Sequence, residues 1–324
     1  MISIHESKIY ELFNSYHLEI DKIIMNSLHA VKQLRTTPDK TGGRGNERIS
    51  ILLTSKEIEY LDYLICHFQD IVMASPNEIR TLKGNFDKII DGTEMAKNHK
   101  NFKNELIVRM GYTNYRKSHY PSYFSQTGVK ACVYCNSQLA VTVKTVKNER
   151  SAKFQVDHFL PKSEYPCFSI SYFNLIPVCG PCNGKKSANA VDFNFYSINQ
   201  DDLKISPFEF YLDKKSLVKY RINGNVEELE IKFLDSQNRK FNENFDIEGI
   251  YNTQKDLAEE LVLKSMIYNR KYLKSLQDSF KKMYPNRMPM VERLLIGNYS
   301  KSKDIHKRPM SKFTQDIAKQ LGLI

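Results

Sequence analysis

The sequence predicts an α+β chain that is mainly helical and carries a small strand–strand–helix (ββα) unit near its middle. Apolar residues recur at helical spacing through the first 110 residues and again from about residue 254 to residue 284. Short alternating apolar segments lie between two Cys-x-x-Cys pairs. We therefore expect a helical domain over residues 1–125, a core over 126–200, and a hairpin followed by basic helices over 201–324.

The N-terminal helices are predicted from single apolar stripes. Residues 7–34 and 55–72 each carry one such stripe, and residues 77–90 and 95–110 carry shorter ones. Ser55 is the residue we expect to cap the second helix. Residues 36–46 (TTPDKTGGRGN) are predicted to form a loop, and they lack the phosphate-binding pattern GxxxxGK[ST], which occurs nowhere in the chain. Any ATP hydrolysis would therefore fall to a partner.

Aromatic and basic residues alternate just before the first cysteine pair, in residues 112–124. Rings and cations in this arrangement can bind a nucleic-acid strand by stacking and charge. The same segment can instead pack its rings beneath a neighbouring unit, and that is the interpretation we favour.

Four cysteines have the spacing of a structural zinc site. Cys132 and Cys135 form one Cys-x-x-Cys, and Cys179 and Cys182 form another after a gap of 43 residues. Two such turns complete the four-sulfur shell that Zn²⁺ prefers. A redox pair, a disulfide and an iron–sulfur site are the alternatives, although a redox pair would not be doubled. The remaining cysteines, at positions 66 and 167, are predicted to be small buried hydrophobes.

The segment between the cysteine pairs predicts the ββα unit. Residues 139–146 (LAVTVKTV) and 153–158 (KFQVDH) alternate like strands around a polar turn, and residues 174–178 (NLIPV) form a third apolar stretch. Residues 181–190 (PCNGKKSANA) are predicted to be a short helix.

Four polar residues in this unit suit phosphodiester hydrolysis. The reaction needs a base for the attacking water and a cation on the scissile phosphate. A neutral imidazole, here His158, is a suitable base near neutral pH. Asp157 and Asn183 offer the hard oxygen ligands that Mg²⁺ or Mn²⁺ accepts, and Asn174 would hydrogen-bond across the loop and fix the histidine. A lone histidine is more often structural than catalytic. Because Asp157, Asn174 and Asn183 accompany His158 in this order and spacing, we expect His158 to be catalytic.

Together these motifs resemble an HNH endonuclease of the ββα-metal class. In that family the first His is the general base, the preceding Asp and the final His or Asn hold the cation, and the middle Asn orients the base. The resemblance assigns those roles to His158, Asp157, Asn183 and Asn174, and it implies a zinc-clamped ββα-metal (HNH) nuclease core. The last residue of the motif departs from the His-Asn-His pattern that gives the family its name, because Asn183 replaces a histidine. The sequence of the predicted helix from Asn183 onwards is also similar to that of the HNH helix of RNA-guided CRISPR nucleases.

Further segments resemble HNH nucleases of bacterial anti-phage systems. They are residues 158–166 (HFLPKSEYP), 244–251 (NFDIEGIY) and 307–317 (KRPMSKFTQDI). The most similar are the nuclease subunits that accompany an ABC-type ATPase in Septu and some retron systems. The resemblance implies a DNA substrate and an ATPase partner. Lys162, Lys185 and Lys186 are the residues we expect to bind nucleic acid.

Charge and composition fit an enzyme that acts on nucleic acid. The formal net charge is +11, and a basic surface neutralises phosphates on any sequence. Residues 217–233 are predicted to be a hairpin around Asn223-Gly224. No apolar run approaches the ~20 residues of a membrane span and no signal peptide opens the chain, so we expect a cytoplasmic protein. The alternatives are an HNH restriction enzyme, a zinc-stabilised DNA-binding adaptor with a vestigial site, and a hydrolase of small phosphoesters.

Overall fold

Helices make up most of the chain, and short strands pair two by two between them, so the fold is α+β as predicted. The computed structural model describes residues 3–36, 52–187, 191, 193–199, 205–236, 240–285 and 289–324, without the side chains of residues 270 and 289. Most of the predicted loop over residues 36–46, and the end of the predicted helix 181–190, lie outside these residues.

The described residues among the first 126, which are residues 3–36 and 52–126, form strand β1 and nine helices. Their bounds are β1 Ile4–His5, α1 Ser7–Ser15, α2 His17–Thr36, α3 Ser55–Cys66, α4 Phe68–Met73, α5 Pro76–Ile89, α6 Gly92–Asn98, α7 Lys100–Arg109, α8 Tyr112–Ser118 and α9 Tyr120–Gln126. The predicted helical segments are all helical, but three of the four break once, at Tyr16, His67 and His99. Most residues of the predicted stripes are buried in the common core or pack against it.

Two helices in this part begin with a reciprocal cap. Thr54, not Ser55, is the N-cap of α3: its side chain accepts from the Glu57 N–H, and the Glu57 carboxylate accepts from the Thr54 N–H at 2.8 Å. Ser75 and Glu78 repeat this capping box at α5. The prediction of Ser55 was wrong by one residue, since the Thr-x-x-Glu spacing fits the box only from Thr54.

The aromatic segment packs inside the protein. Tyr112, Tyr120, Tyr123 and Phe124 are all buried, and their rings contact one another and Tyr172. The packing interpretation of residues 112–124 is therefore confirmed for these rings.

The central unit contains two separate ladders and a short helix. Strands β2 (Val141–Lys144) and β3 (Arg150–Lys153) form a hairpin whose second strand lies mostly in the predicted polar turn, while β4 (Gln155–His158) pairs antiparallel with β5 (Leu175–Val178). Residues 153–158 are thus not one strand: the chain changes partner at Phe154, whose ring packs on Phe124. Helix α10 (Gly180–Lys186) follows β5 directly, and β6 (Tyr196–Ser197) pairs with β1.

The C-terminal part differs most from the prediction. Its elements are β7 Phe208–Leu212, α11 Lys214–Asn223, β8 Ile231–Asp235, α12 Phe241–Phe245, α13 Ile247–Asn252, α14 Lys255–Ile267, α15 Arg270–Met283, α16 Pro289–Ile296 and α17 Ser311–Gln320. The predicted hairpin around Asn223-Gly224 is wrong. Gly224 has φ +69° and its N–H donates to Tyr220 O, so the glycine ends a helix instead of turning a hairpin. The partner of β8 is β7.

Within the described ranges, no helix is both long enough and apolar enough to cross a membrane.

Candidate functional site

The four predicted cysteines meet in one buried cluster. Their Sγ atoms all lie within 4.8 Å of one another, and those of Cys135 and Cys179 are 3.9 Å apart. A tetrahedral Zn²⁺ with Zn–S bonds of ~2.3 Å holds its sulfurs about 3.8 Å apart. Donor type, spacing and burial therefore fit a metal ion such as zinc.

Backbone turns and hydrogen bonds to sulfur hold the four cysteine side chains together in this cluster. Cys132 and Cys135 lie on a tight turn closed by the Asn136 N–H, which donates to Cys132 O at 2.9 Å. Ser137 donates to Cys135 Sγ through its hydroxyl at 3.1 Å, and the Cys179 N–H donates to Cys132 Sγ at 3.3 Å. Hydrogen bonds among the thiols lower the pKa of Cys135 and raise that of Cys182. A thiolate is the form that binds zinc.

The first cysteine turn is also held by the C-terminal part of the chain. The Tyr251 hydroxyl donates to Cys135 O at 2.9 Å. The side chain of Asn136 donates to Ile305 O and accepts from the Lys312 N–H, both at 3.0 Å. The cluster therefore joins the central unit to residues near both α13 and α17.

Three of the four predicted catalytic residues line one cavity beside the cluster. Asp157 and His158, at the end of β4, and Asn183, on α10, face a cavity of about 340 Å³. Helix α7 contributes Lys103 and Asn104 to its lining. The antiparallel pairing of β4 with β5 and the short connection into α10 bring these side chains together.

His158 is held in one orientation. The residue is 3 % exposed, and its Nε2 lies 3.0 Å from Ser169 O. Because a carbonyl can only accept, Nε2 carries the proton and the lone pair lies on Nδ1. Burial, together with the charges of Lys162 and Lys186, lowers the pKa of His158 to about 3, despite the opposing bond to Ser169. The imidazole is therefore neutral near pH 7.

Asp157 is buried and fixed through both oxygens. Oδ1 accepts from the His158 N–H at 2.7 Å, and Oδ2 accepts from the Tyr134 hydroxyl at 2.7 Å. The Lys186 ammonium lies 3.3 Å from Oδ2 and donates to His158 O at 2.8 Å.

Asn174 organises the loop that follows His158. Its Oδ1 accepts from the Leu160 N–H at 2.7 Å, and its Nδ2 donates to the carbonyls of Leu160 and Phe168. These contacts tie the two ends of the loop together. Asn174 thus bonds across the loop, through backbone groups of Leu160 and Phe168 that both follow the histidine in the chain.

Asn183 is anchored by a residue that the motif does not contain. Its Nδ2 donates to Gln155 Oε1 at 2.6 Å, which leaves the amide oxygen available to another partner. Gln155 lies on β4, so this contact also joins α10 to the strand that carries Asp157 and His158.

The three predicted nucleic-acid-binding lysines have different environments. Lys162 lines the cavity, with Nζ 5.2 Å from the ring centroid of Tyr112. Lys185 is exposed and pairs with Asp246. Lys186 is only 1 % exposed, so its ammonium does not face solvent and the expected phosphate contact does not fit this geometry. Its long side chain runs inward from α10 because Asp157 and His158 O offer partners there.

Sequence reasoning missed several residues of the site. Tyr134, Gln155 and Ser169 each bond directly to a predicted site residue. Only Tyr134 carries a local signal, since it lies between Cys132 and Cys135. The predicted burial of the cysteine at 167 is confirmed, whereas that of Cys66 is wrong, because Cys66 is exposed on α3.

Comparison with known proteins gives one partial match. Over 58 residues the chain is 41 % identical to the Septu protein PtuB of Bacillus thuringiensis. The match covers 18 % of this chain and 20 % of that protein. No family model matches the chain, and no solved structure matches it. The chain is thus similar, over about a fifth of its length, to a protein of the Septu system.

Proposed function

We propose that this protein is a metal-dependent endonuclease of the HNH type, which hydrolyses phosphodiester bonds in DNA. One observation carries the proposal. The Nδ1 lone pair of a buried neutral histidine, a fixed carboxylate and an anchored amide belong to side chains that line one cavity beside a four-cysteine cluster.

His158 is suited to the role of general base. Ser169 O fixes the tautomer, so Nδ1 can take the proton of an attacking water. A phosphate that enters the cavity brings negative charge near the imidazole. This charge favours the protonated ring and raises its pKa toward the reaction pH.

Asp157 and Asn183 are the residues that would hold the catalytic cation. Both offer oxygen donors, and so few protein ligands suit Mg²⁺ or Mn²⁺, which keep other positions for water and phosphate oxygens. When bound, the cation supplies positive charge at the scissile phosphate and the leaving oxygen. Lys103 and Lys162 add positive charge to the cavity lining, where they can attract the nucleic-acid backbone.

The test is cleavage of supercoiled plasmid by purified protein with Mg²⁺ or Mn²⁺. We expect nicked or linear DNA, no product with EDTA, and a rate reduced about 100-fold or more in His158→Ala, as for loss of a general base. His67→Ala, at a half-exposed histidine between α3 and α4, is the control and should cut at the parent rate. Cleavage by His158→Ala at the parent rate would show that the base is misassigned.

We further propose that the nuclease is the effector of a bacterial anti-phage system and works with an ATPase partner. The partial similarity to a Septu protein supports this role, and the sequence contains no GxxxxGK[ST] of its own. The test is plaque formation on cells that carry the chain with its neighbouring genes. Protection that survives His158→Ala would count against a nuclease effector.

A second candidate is a zinc-stabilised DNA-binding adaptor. The buried Lys186 ammonium beside Asp157 favours it, since this internal cation already offsets the carboxylate charge that a metal would use. The two candidates differ in one measurement. An adaptor binds DNA in the presence of Mn²⁺ and leaves it uncut.

A further inference from the structure

We infer that Tyr134 is a positioning residue, whose hydroxyl orients the Asp157 carboxylate and so couples the cysteine cluster to the cation-binding side of the cavity. The inference rests on the proposed function, because it assigns Asp157 to the catalytic cation. It adds a link between two sites that the sequence motif presents as separate.

The Tyr134 hydroxyl makes one of the two short hydrogen bonds that fix Asp157. It donates to Oδ2 at 2.7 Å, while the His158 N–H holds Oδ1 at 2.7 Å. With one donor on each oxygen, the carboxylate plane is set. Lys186 is farther away, at 3.3 Å from Oδ2 and 3.4 Å from Oδ1, and its position between the oxygens favours neither.

The ring of Tyr134 is itself rigidly placed. It lies between Cys132 and Cys135 in the chain, it is 2 % exposed, and it stacks on Phe245 with a centroid distance of 4.6 Å and an interplanar angle of 16°. The cysteine turn fixes the backbone and the stack fixes the ring. The hydroxyl therefore has one position, at Asp157.

Removal of the hydroxyl would free one oxygen of Asp157. The nearest remaining donor to Oδ2 is the Lys186 ammonium at 3.3 Å, which can then move closer and compete with a cation for this oxygen. Loss of such an outer contact to a metal ligand typically weakens metal affinity 10–100-fold. The thiols do not use the hydroxyl, so the zinc content should be unaffected.

The experiment compares Tyr134→Phe with Tyr123→Phe. Tyr123 is a matched control, since it is also fully buried but its hydroxyl has no hydrogen-bond partner in the described structure. Mn²⁺ binding is titrated by electron paramagnetic resonance, zinc is counted per chain, and kcat and KM for plasmid cleavage are measured. The part of the bound-Mn²⁺ signal that is lost in Asp157→Asn is assigned to this site.

We expect Tyr134→Phe to keep its zinc, to bind Mn²⁺ about 10–100-fold more weakly, and to lose kcat at saturating DNA with KM for DNA unchanged. Tyr123→Phe should match the parent in all three. Parent-like Mn²⁺ affinity in Tyr134→Phe would overturn the inference and leave the nuclease proposal standing. Loss of zinc from Tyr134→Phe would also overturn it, because the residue would then be structural. A parent protein without an Asp157-dependent Mn²⁺ site would overturn both.

Discussion

Two buried lysines, Lys186 and Lys312, are each paired with a carboxylate. Lys312 contacts Asp316 within α17, and Lys186 lies between Asp157 and the carbonyl of His158. Burial of an ammonium is costly unless a partner and further hydrogen bonds offset the loss of water. Lys186 has both kinds of partner, so its role is to hold the end of β4 against α10.

His119 should make the stability of the protein depend on pH. The ring is buried, Nδ1 lies 3.1 Å from Glu19 Oε2, and Nε2 lies 3.0 Å from the Tyr172 hydroxyl. Burial lowers the pKa of His119 in spite of Glu19. The unfolded chain therefore binds the proton first, and the free energy of unfolding should fall as pH drops below the ordinary histidine value of ~6.5 toward the lowered one.

Urea unfolding between pH 7 and pH 5 measures this effect. His119→Gln, which cannot take up the proton, should lose less stability over that range than the parent does. His29→Gln, at an exposed histidine on α2, should keep the parent's dependence. Equal slopes for His119→Gln and the parent would mean that His119 does not contribute.

Single residues also show how far the site could be predicted. The residue types and order of Asp157, His158 and Asn183 sufficed to bring them together, since a strand pair and a short helix fix their spacing. Their hydrogen-bond partners could not be predicted, because Ser169 O reaches His158 only through the shape of a loop. Lys186 was misjudged for the same reason, as its direction depends on packing.

The helices of this fold depend on capping hydrogen bonds at their ends as well as on apolar periodicity. The Thr54–Glu57 box begins α3, and Glu57 Oε1 also lies 2.7 Å from His99 Nδ1 at the start of α7. One cap therefore supports two helices. Thr54→Ala should lower the free energy of unfolding by about 1 kcal/mol, the usual value for a lost N-cap.

The neighbouring serine provides the control for this prediction. Ser55 is exposed and lies one residue inside the helix, so Ser55→Ala should change stability by less than about 0.5 kcal/mol. Both variants are compared by urea unfolding. A larger loss of stability in Ser55→Ala than in Thr54→Ala would show that Ser55, as the sequence first indicated, caps the helix.

Two elements escaped prediction because local sequence allowed two structures. Asn223-Gly224 suits a two-residue hairpin, but that turn needs positive φ at both residues, and only Gly224 has it. Likewise, residues 153–158 alternate as one strand, yet Lys153 pairs with β2 and residues 155–158 pair with β5. In both cases the tertiary partner, here β7 or β5, decides the outcome.

At the scale of the whole molecule, the cysteine cluster connects parts of the chain that are distant in sequence. His306 O accepts from the N–H groups of Lys130 and Ala131, and the Met310 N–H donates to Asn136 O at 2.6 Å. The segment that leads into α17 is therefore built on the first cysteine turn. The sequence predicts basic helices in this part of the chain, but nothing in it predicts where α17 docks.

Loss of the metal should consequently loosen the C-terminal part as well as the cysteine turns. Cys182→Ser removes one sulfur, and a structural zinc ion contributes folding free energy directly. We expect less than one zinc per chain, lower solubility, and faster hydrogen exchange in residues 305–320. Cys66→Ser, at an exposed cysteine outside the cluster, should retain zinc and exchange like the parent. Full zinc content in Cys182→Ser would count against the four-sulfur site. Fast exchange confined to residues 131–138 would instead show that the C-terminal segment holds its place without the metal.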